Sequence, residues 1–282
     1  MNFSIIGPSG YIAHRHLEAI RATGGQVISY LDIKQLNHLD NSSEYFNSED
    51  SFFSSFDFKK PDFCIICSPN HLHKNHIIQS LKKGVDVICE KPICISSIEL
   101  EEIEKALSTS SAKLYSIMQL RLHPVMQAMK DLANSESSHE QLSRISVITP
   151  RDQAYLDSWK IQKKFSGGIL FNLAIHYFDL LIVAYGRPLH SHIIFNDKLR
   201  AKGTTSFQKL KVEWFFSIDP EDQLPDLKPQ RIFKIDGREI IFDNVAGDLH
   251  TKNYESILAR DGHFDVSSIM PTMNLMFSLN EQ

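Results

Sequence analysis

The first part of the chain alternates short apolar runs with segments whose apolar residues recur at helical spacing. Apolar runs of this length are typical of buried strands, and helical spacing is typical of helices that pack on a sheet. The strand-like runs are FSII (3–6), QVISYLD (26–32), DFCIICS (62–68), VDVICE (85–90) and KLYSIM (113–118), and the helical patterns include 11–22 and 71–84. This alternation predicts a parallel sheet with helices on both faces.

Beyond residue 118 the pattern changes to strands with few helices between them. The strand-like segments are RISVIT (144–149), HSHIIF (190–195), FQKLKVEWFFSID (207–219), RIFKID (231–236) and REIIFD (238–243), and helical patterns cover 167–186 and 248–259. Asp236-Gly237 is a tight-turn signal between two strands. We therefore predict an α/β protein with a domain boundary near residue 119, and a large, mostly antiparallel sheet after it.

Composition excludes several classes of function. The chain has 282 residues and a formal net charge of −4, which argues against a nucleic-acid partner. A charged start followed by a long apolar segment is absent, so we expect neither a signal peptide nor a membrane span. Cys64 and Cys67 lie three apart on a predicted strand and point to opposite faces. The cysteines are therefore expected to be reduced core residues of a cytoplasmic protein.

A glycine turn follows the first strand. Gly7 comes just after the strand and Gly10 just before a helix, with Ala13 three residues later. Such a turn lets backbone N–H groups approach a phosphate at a helix N-terminus, although many strand–turn–helix units need glycine for geometry alone. Asp32 ends the second strand, where an acid binds ribose hydroxyls and repels a 2′-phosphate; alternatively it caps the next loop. This predicts a Rossmann dinucleotide-binding domain at 1–118, with NAD favoured over NADP, and an α+β domain at 119–282 for substrate binding and oligomerisation.

Two sets of polar groups interrupt apolar surroundings. The strand at 85–90 ends in Glu90, Lys91 and Pro92, which places two charges at the sheet edge where open α/β proteins bind ligands. On the apolar helix at 167–186, Asn172, His176 and Asp179 form one polar stripe. Lys91 suits a base or an alkoxide donor, and His176 suits a proton acceptor. The alternatives are a surface ion pair for Lys91 and a core histidine bonded to a carbonyl for His176.

The segments CSPNHLHKNH and GVDVICEKP, taken with the glycine turn, resemble the glucose–fructose oxidoreductase, inositol dehydrogenase and rhizopine-catabolism (Gfo/Idh/MocA) family of nicotinamide-dependent sugar dehydrogenases. The family pattern matches Pro69, Asn70, His73 and the Glu90-Lys91-Pro92 triplet. The resemblance implies an NAD site with these contacts: Gly7, Ser9, Gly10, Tyr11, Ile12, Asp32, Ser68, Asn70, His73, Glu90, Lys91 and Gln119.

A narrower resemblance points to one branch, the bacterial UDP-N-acetylglucosaminuronate 3-dehydrogenases of surface-polysaccharide pathways. It rests on MQLRLHP (118–124), TPRDQAYLDSWK (149–160), SGGILFNLAIHYFD (166–179), VEWFFSID (212–219) and DLHTKNYESILA (248–259). The branch implies oxidation of a sugar C3 hydroxyl with NAD, and in some members reoxidation of the cofactor by 2-oxoglutarate. It also implies the substrate contacts Arg121, His123, Arg151, Trp159, Lys160, Asn172 and His176.

Within this reading, Lys91, His176 and Asn172 form the catalytic set. Asn172 would bond the reacting hydroxyl, and Asp179 would orient His176 or cap local backbone. Lys91 and His176 are expected to meet across a cleft between the domains, and which of them takes the proton stays open. Two other functions also stay open: a dehydrogenase for another sugar or polyol, and a cofactor-binding regulatory subunit without efficient turnover.

Two further features of the sequence bear on metal binding and on subunit assembly. His71, His73 and His76 lie close together, but acids and cysteines at zinc-ligand spacing are lacking, so no metal is expected. The segment KLKVEWFFSI places Leu210, Val212, Trp214 and Phe216 on one face and Phe215 on the other. The resemblance implies that this sheet packs against its copy in another subunit, and an aromatic residue on the outer face agrees with that. The resemblance therefore implies a homo-oligomer, a dimer or a tetramer.

Overall fold

The computed structural model describes residues 1–37, 39, 42–135, 140–223, 230–242 and 248–282. It forms two compact units. Unit 1 comprises Met1–Gln119 and Gly247–Ile269, and unit 2 comprises Leu120–Ala246 and Met270–Gln282.

Unit 1 contains a six-stranded sheet in the order β3-β2-β1-β4-β5-β6. Its strands are β1 (Asn2–Ile6), β2 (Gln26–Leu31), β3 (Glu44–Phe46), β4 (Phe63–Ile66), β5 (Asp86–Cys89) and β6 (Leu114–Ser116), and its helices are α1 (Ala13–Ala22), α2 (Glu49–Ser55), α3 (Asn70–Lys82) and α4 (Ser97–Ser108). All five strand pairs are parallel. This order is that of a doubly wound dinucleotide-binding fold, whose order reverses between β1 and β4. The predicted Rossmann architecture is confirmed.

The apolar runs of unit 1 form strands because both faces of the sheet are covered. All four residues of β4 are buried, and so are four of the five in β1. Such strands read as continuous Val, Ile and Leu runs instead of alternating ones. The thiols of Cys64 and Cys67 lie in this interior and form no disulfide. Burial raises the pKa of Cys64 to about 12, so its thiol stays protonated at neutral pH.

Unit 2 contains a second six-stranded sheet in the order β12-β11-β7-β10-β9-β8. Its helices and strands are α5 (Val125–Ala133), β7 (Gln141–Ile148), α6 (Gln153–Leu156), α7 (Lys163–Ser166), α8 (Ile175–Tyr185), β8 (His190–Asn196), β9 (Arg200–Ser206), β10 (Leu210–Ser217), β11 (Gln230–Ile235) and β12 (Arg238–Glu239). Only the pair β7–β10 is parallel among the pairs of the described strands in this sheet. The mostly antiparallel sheet is therefore confirmed.

The predicted faces of β10 agree with the observed burial. Leu210, Val212, Trp214 and Phe216 are at most 1% exposed, which places them in the core of unit 2. Phe215 lies on the other face, with its ring 6.4 Å from that of Phe195, which is 37% exposed. These rings leave an apolar spot on the outer face, and the homo-oligomer stays a prediction.

Three elements differ from the sequence pattern. The strand β9 has the sequence RAKGTTS, whose polar residues and glycine hide its alternation. The strand predicted at 238–243 contains only β12, and residue 243 lies outside the described residues. The helix α9 (Leu249–Ala259) packs on α1 in unit 1, although the pattern groups it with the second domain. It packs there because Tyr254 and Ile257 are buried in unit 1. The Tyr254 ring lies beside that of Phe3.

The long apolar helix of unit 2 is irregular. It begins with a π-helical segment, Leu170–Ala174, and continues as α8. The stretch Lys163–Tyr185 is long and apolar enough to cross a membrane by composition alone, but 67% of its apolar window is buried inside the protein. Such burial is typical of a core helix. The last helix is α10 (Val266–Asn280).

Candidate functional site

The predicted cofactor residues of unit 1 lie after four neighbouring strands. The glycine turn follows β1, Asp32 follows β2, Ser68 follows β4 and Glu90 follows β5. The carboxyl ends of parallel strands share one edge of the sheet, and ligands of doubly wound folds bind at the crevice where the strand order reverses. The structure therefore brings these groups to one edge.

The glycine turn is packed against the backbone that follows β4. Gly7 has φ +77°, and a Cβ there would lie 3.0 Å from the carbonyl carbon and oxygen of Cys67. A Cβ at Gly10 would lie 3.2 Å from the carbonyl oxygen of Gly7. The positive φ and the close backbone at Gly7 favour glycine strongly, and the tight contact at Gly10 leaves little room for a side chain, as in a turn that admits a diphosphate.

The residues after the turn fit an NAD diphosphate. Helix α1 begins after Ile12 without a side-chain cap and has no acidic residue in its first turn. The N–H groups of Ala13 and Arg15 bond to backbone carbonyls of the turn, and no acidic residue of the first turn offsets the positive end of the helix, which favours an anionic ligand. Tyr11 is 84% exposed, beside this helix start. Gln119 has a buried Oε1 with no hydrogen-bond donor among the described residues, as expected of a group that contacts a ligand.

Asp32 contacts the glycine turn directly. Its Oδ2 accepts from the Ser9 backbone N–H at 2.8 Å and its Oδ1 from the Ser9 hydroxyl at 3.0 Å. Asp32 is 7% exposed and lies at the carboxyl end of β2. This is the place where an acid bonds ribose hydroxyls, and its charge there disfavours a 2′-phosphate.

Glu90 is buried, and its partners come from two helices. Its Oε1 lies 2.9 Å from Nε2 of His16 on α1 and 3.5 Å from Nε2 of His250 on α9. Its Oε2 accepts from the Lys91 backbone N–H at 3.2 Å. Burial alone would raise the pKa of Glu90, but the hydrogen bond with His16 and the nearby imidazole of His250 outweigh it and hold this pKa well below its usual value. These contacts account for the burial of Glu90, and its predicted contact with NAD stays a prediction.

His73 holds two loops of this edge together. Its Nδ1 lies 2.7 Å from the carbonyl oxygen of Pro92 and its Nε2 lies 2.7 Å from that of Ser68. Burial lowers the pKa of His73 to about 4, so the ring is neutral at pH 7 and donates to only one of these carbonyls. Both ring nitrogens face backbone, so His73 positions the segments around Ser68 and Pro92, and its direct contact with a cofactor stays a prediction.

Ser68 and Asn70 extend the same loop. The Ser68 hydroxyl is 2.9 Å from Nδ1 of His76, whose Nε2 is 3.2 Å from Glu49. Asn70 is buried at the start of α3. His73 and His76 thus bond to carbonyl, hydroxyl and carboxylate groups, which accounts for two of the three histidines without a metal.

In unit 2, Arg121 and Asp179 form a buried ion pair. Nε and Nη2 of Arg121 donate to the two carboxylate oxygens at 2.7 and 2.6 Å, and the side chains are 8% and 2% exposed. The Thr272 hydroxyl donates to the same carboxylate at 2.8 Å. The Asp179 carboxylate is thus bonded to Arg121 and Thr272, which differs from the expected contact with His176 or with local backbone. The substrate contact predicted for Arg121 stays a prediction.

Arg151, Tyr155 and Lys160 form a cationic cluster. The Arg151 guanidinium lies 5.0 Å and the Lys160 ammonium 5.3 Å from the centre of the Tyr155 ring. Burial and the nearby Arg151 charge lower the pKa of Lys160. Nε of Arg151 is buried with no hydrogen-bond acceptor among the described residues. Arg151 and Lys160 repel each other, and Nε of Arg151 lacks an acceptor within the described part of the chain. An anionic ligand would satisfy both groups.

Asn172 links this cluster to the apolar helix. Its Nδ2 donates to the Lys160 carbonyl oxygen at 3.0 Å, which holds the loop, and its predicted bond to a reacting hydroxyl stays a prediction. Asn172 lies in the π-helical segment, and His176 is the second residue of α8. His176 is partly exposed. The polar stripe therefore divides into a loop contact, a partly exposed imidazole and a buried ion pair.

The remaining substrate candidates differ in burial. His123 is 7% exposed, and its Nδ1 accepts from the Val125 N–H at the start of α5, with the ring 5.5 Å from that of Phe242. These contacts give His123 a structural role at a helix start. Trp159 is partly exposed in the loop that carries Lys160.

Sequence reasoning missed His16, His250 and Tyr254, which surround Glu90. His16 and Glu90 are 74 positions apart and His16 and Tyr254 are 238 apart, so no local spacing joins them. The available signal was a histidine inside the apolar face of the 11–22 pattern. Ligand atoms of His16, Glu90 and His250 lie within 4.8 Å of one another, which is also compatible with a metal site.

A cavity of about 490 Å³ opens at the other edge of the unit 1 sheet. It is lined by Pro61, Asp62 and Asp86 at the amino ends of β4 and β5, together with Lys60 and Arg260. It lies at the opposite ends of the strands from the glycine turn and is not the cofactor site.

Comparison with known proteins identifies relatives of the whole chain. The WlbA (WbpB) dehydrogenase of Thermus thermophilus, crystallised with NAD and alpha-ketoglutarate, is 30% identical with a TM-score of 0.91, over 99% of this chain and 94% of that one. Its complex with NAD and UDP-GlcNAcA gives 28% identity, the same coverage and the same TM-score. D-glucoside 3-dehydrogenase of Escherichia coli (strain K12) is 24% identical over 54% of this chain.

The family assignment rests on these matches together. The matched segments span 32%, 55% and 41% of the length of three curated relatives. The sequence profile described as "Oxidoreductase family, NAD-binding Rossmann fold" matches residues 1–118, which is nearly the whole first segment of unit 1. The predicted NAD cofactor and the predicted resemblance are both confirmed. The chain belongs to the Gfo/Idh/MocA family of oxidoreductases, and unit 1 contains its NAD-binding Rossmann fold.

Proposed function

We propose that the protein oxidises the C3 hydroxyl of a UDP-N-acetylglucosaminuronate-type nucleotide sugar, in the cytoplasmic synthesis of a surface polysaccharide. The observation that carries this proposal is the cluster of Arg151 and Lys160 around Tyr155. A uronate and a diphosphate are both anions, and Arg binds a carboxylate through two parallel hydrogen bonds. The similar Thermus protein was crystallised with UDP-GlcNAcA, which is such a sugar.

Each unit supplies a different part of the proposed chemistry. Oxidation of a secondary alcohol removes a hydride from carbon and a proton from oxygen, and NAD accepts the hydride when bound. Lys91 stabilises the alkoxide or takes the proton, at the end of the segment that Glu90 and His73 hold. His176 is the other proton acceptor. The meeting of Lys91 and His176 on one hydroxyl stays a prediction.

Two anionic compounds suit the cationic cluster in turn. The Thermus protein was crystallised with alpha-ketoglutarate as well as with NAD. A 2-oxo acid with two carboxylates is matched in charge by Arg151 and Lys160. We include in the proposal that 2-oxoglutarate reoxidises the reduced cofactor by accepting the hydride on its keto carbon and a proton on the resulting oxygen.

The reaction is tested by following NADH absorbance with a panel of sugars. We expect UDP-N-acetylglucosaminuronate to give NADH, and UDP-N-acetylglucosamine, which lacks the carboxylate, to give at least about tenfold lower kcat/KM, because a lost charged contact is worth roughly 1.5–3 kcal/mol. Faster reaction with a free sugar or polyol would support that alternative substrate class. Sugar binding that changes the fluorescence of added NADH, without any turnover of NAD, would support a regulatory subunit.

The cationic cluster makes a separate prediction. We expect Arg151→Leu to raise the KM for UDP-N-acetylglucosaminuronate about 10- to 100-fold, since it removes a charged contact, and to leave the Kd for NAD within about twofold. Steady-state kinetics and a fluorescence titration measure the two constants. Arg187→Leu is the matched control, because Arg187 belongs to the same unit and is not in the cluster. An unchanged KM in Arg151→Leu would remove the cluster from the substrate site.

A further inference from the structure

We propose that His16 and Tyr254 position Lys91 by way of the Glu90 carboxylate. The proposal rests on the proposed function only in giving Lys91 a chemical role. Its physical content is a chain of hydrogen bonds that runs from Tyr254 through His16 and Glu90 to the Lys91 backbone, all within unit 1.

The ionised state of Glu90 fixes the direction of the bond between Glu90 and His16. Glu90 is a carboxylate, because its pKa is held well below the usual value, and it therefore only accepts. Nε2 of His16, 2.9 Å away, must then carry a proton. Burial raises the pKa of Tyr254 well above its ordinary value, so its hydroxyl keeps its proton. Its oxygen lies 2.8 Å from Nδ1 of His16, within hydrogen-bond distance.

The residues at the start of this hydrogen-bond chain, Tyr254 and His16, have little freedom to move. His16 and Tyr254 are both completely buried, and His250 approaches the same Glu90 oxygen at 3.5 Å. Glu90 uses Oε1 for the histidines and Oε2 for the Lys91 N–H. Contacts at both oxygens hold the planar carboxylate at two points. The Lys91 backbone is thus held by an element distant in sequence, helix α9.

The second anchor lies on the other side of Lys91. His73 contacts the Pro92 carbonyl at 2.7 Å. Lys91 therefore stands between two residues that are each tied to histidines, which is the arrangement expected where a side chain must be placed closely. Helix α9 thus serves the candidate site of unit 1, although it lies after the second sheet in the sequence.

The same three ligand-type residues could instead hold a metal. His16, Glu90 and His250 offer nitrogen and oxygen atoms within 4.8 Å of one another. The 2.9 Å distance between His16 and Glu90 is that of a direct hydrogen bond. A metal bound there would replace the proton that lies between Nε2 of His16 and Oε1 of Glu90. The metal content of the purified protein therefore decides between a hydrogen-bonded chain and a metal site.

Amide hydrogen exchange tests the chain without any substrate. In His16→Leu and Tyr254→Phe we expect the Lys91 amide to exchange at least tenfold faster than in the wild type, and the peptide containing β4 to be unchanged. His16→Gln keeps an N–H donor and should restore slow exchange. Tyr185→Phe is the matched control, because its hydroxyl bonds to Gln141 in unit 2. Unchanged exchange at Lys91 in both variants would overturn the proposal.

Steady-state kinetics give a second test, because a merely structural role would not lower kcat while leaving KM and the Kd for NAD unchanged. We expect His16→Leu to lower kcat about 100-fold, since displacements of about 1 Å can have such effects, with the KM and the Kd for NAD within about threefold. His16→Gln should recover at least tenfold of this loss. One zinc or other divalent ion per chain in the wild type would overturn the proposal. A wild type inactive on every sugar would sink the proposed function, while the exchange data would still decide the positioning.

Discussion

Lys91→Met is expected to lower kcat for UDP-N-acetylglucosaminuronate about 10³-fold while the Kd for NAD changes less than about threefold. Methionine keeps most of the length and apolar stem of lysine and removes the ammonium group. A group that moves a proton or stabilises an alkoxide in the transition state contributes typically about 10²–10⁴ in rate. Because the backbone of Lys91 is fixed by the Glu90 carboxylate, the substitution should leave the surrounding segment in place.

The comparison with His176→Asn assigns the roles. If both side chains act on one hydroxyl, each single variant should lose most of the activity, and the double variant should lose little more, because groups that act as a unit are not additive. Lys74→Met is the matched control, since Lys74 is in the same unit and pairs at the surface with Glu102 at 2.9 Å. Near-normal turnover in Lys91→Met and His176→Asn would remove both from the chemistry.

The sequence predicts the cofactor edge well for a physical reason. The glycine turn, Asp32 and Glu90 each follow an apolar strand, and parallel strands deliver their carboxyl ends to one edge of the sheet. Recognising the strands is therefore sufficient to bring these residues together. The contact between Ser9 and Asp32 follows from this topology alone, since one lies after β1 and the other after its neighbour β2.

Partners of buried charges are predicted poorly, because side-chain pairing across the sequence leaves no periodic signal. Helical spacing puts Asp179 on a stripe with His176, but its partner Arg121 is 58 positions away. The pattern likewise marks Glu90 as exceptional without revealing His16. The π-helical segment that carries Asn172 also changes the helical phase, so the residues of the predicted stripe have separate contacts.

The Arg121–Asp179 pair leads to the second large effect. We expect Arg121→Met to lower the free energy of unfolding of unit 2 by about 3–5 kcal/mol, because it leaves Asp179 buried and charged without its partner. Replacing both residues, in Arg121→Met with Asp179→Leu, should return the stability to within about 1 kcal/mol of the wild type, since neither charge is then left buried. Thr272, which loses its acceptor, can donate to a carbonyl within α10 instead.

Urea unfolding followed by tryptophan fluorescence measures this effect in the right unit. The chain has two tryptophans, and both Trp159 and Trp214 belong to unit 2. Arg144→Met is the matched control, because Arg144 pairs with Glu213 at the surface, where such a pair contributes about 0–1 kcal/mol. If Arg121→Met kept the stability of unit 2 and raised only the KM for the sugar, Arg121 would belong to the substrate site. The stability loss is expected because the carboxylate on Arg121 comes from the protein itself, held by two bonds of 2.6 and 2.7 Å in the interior.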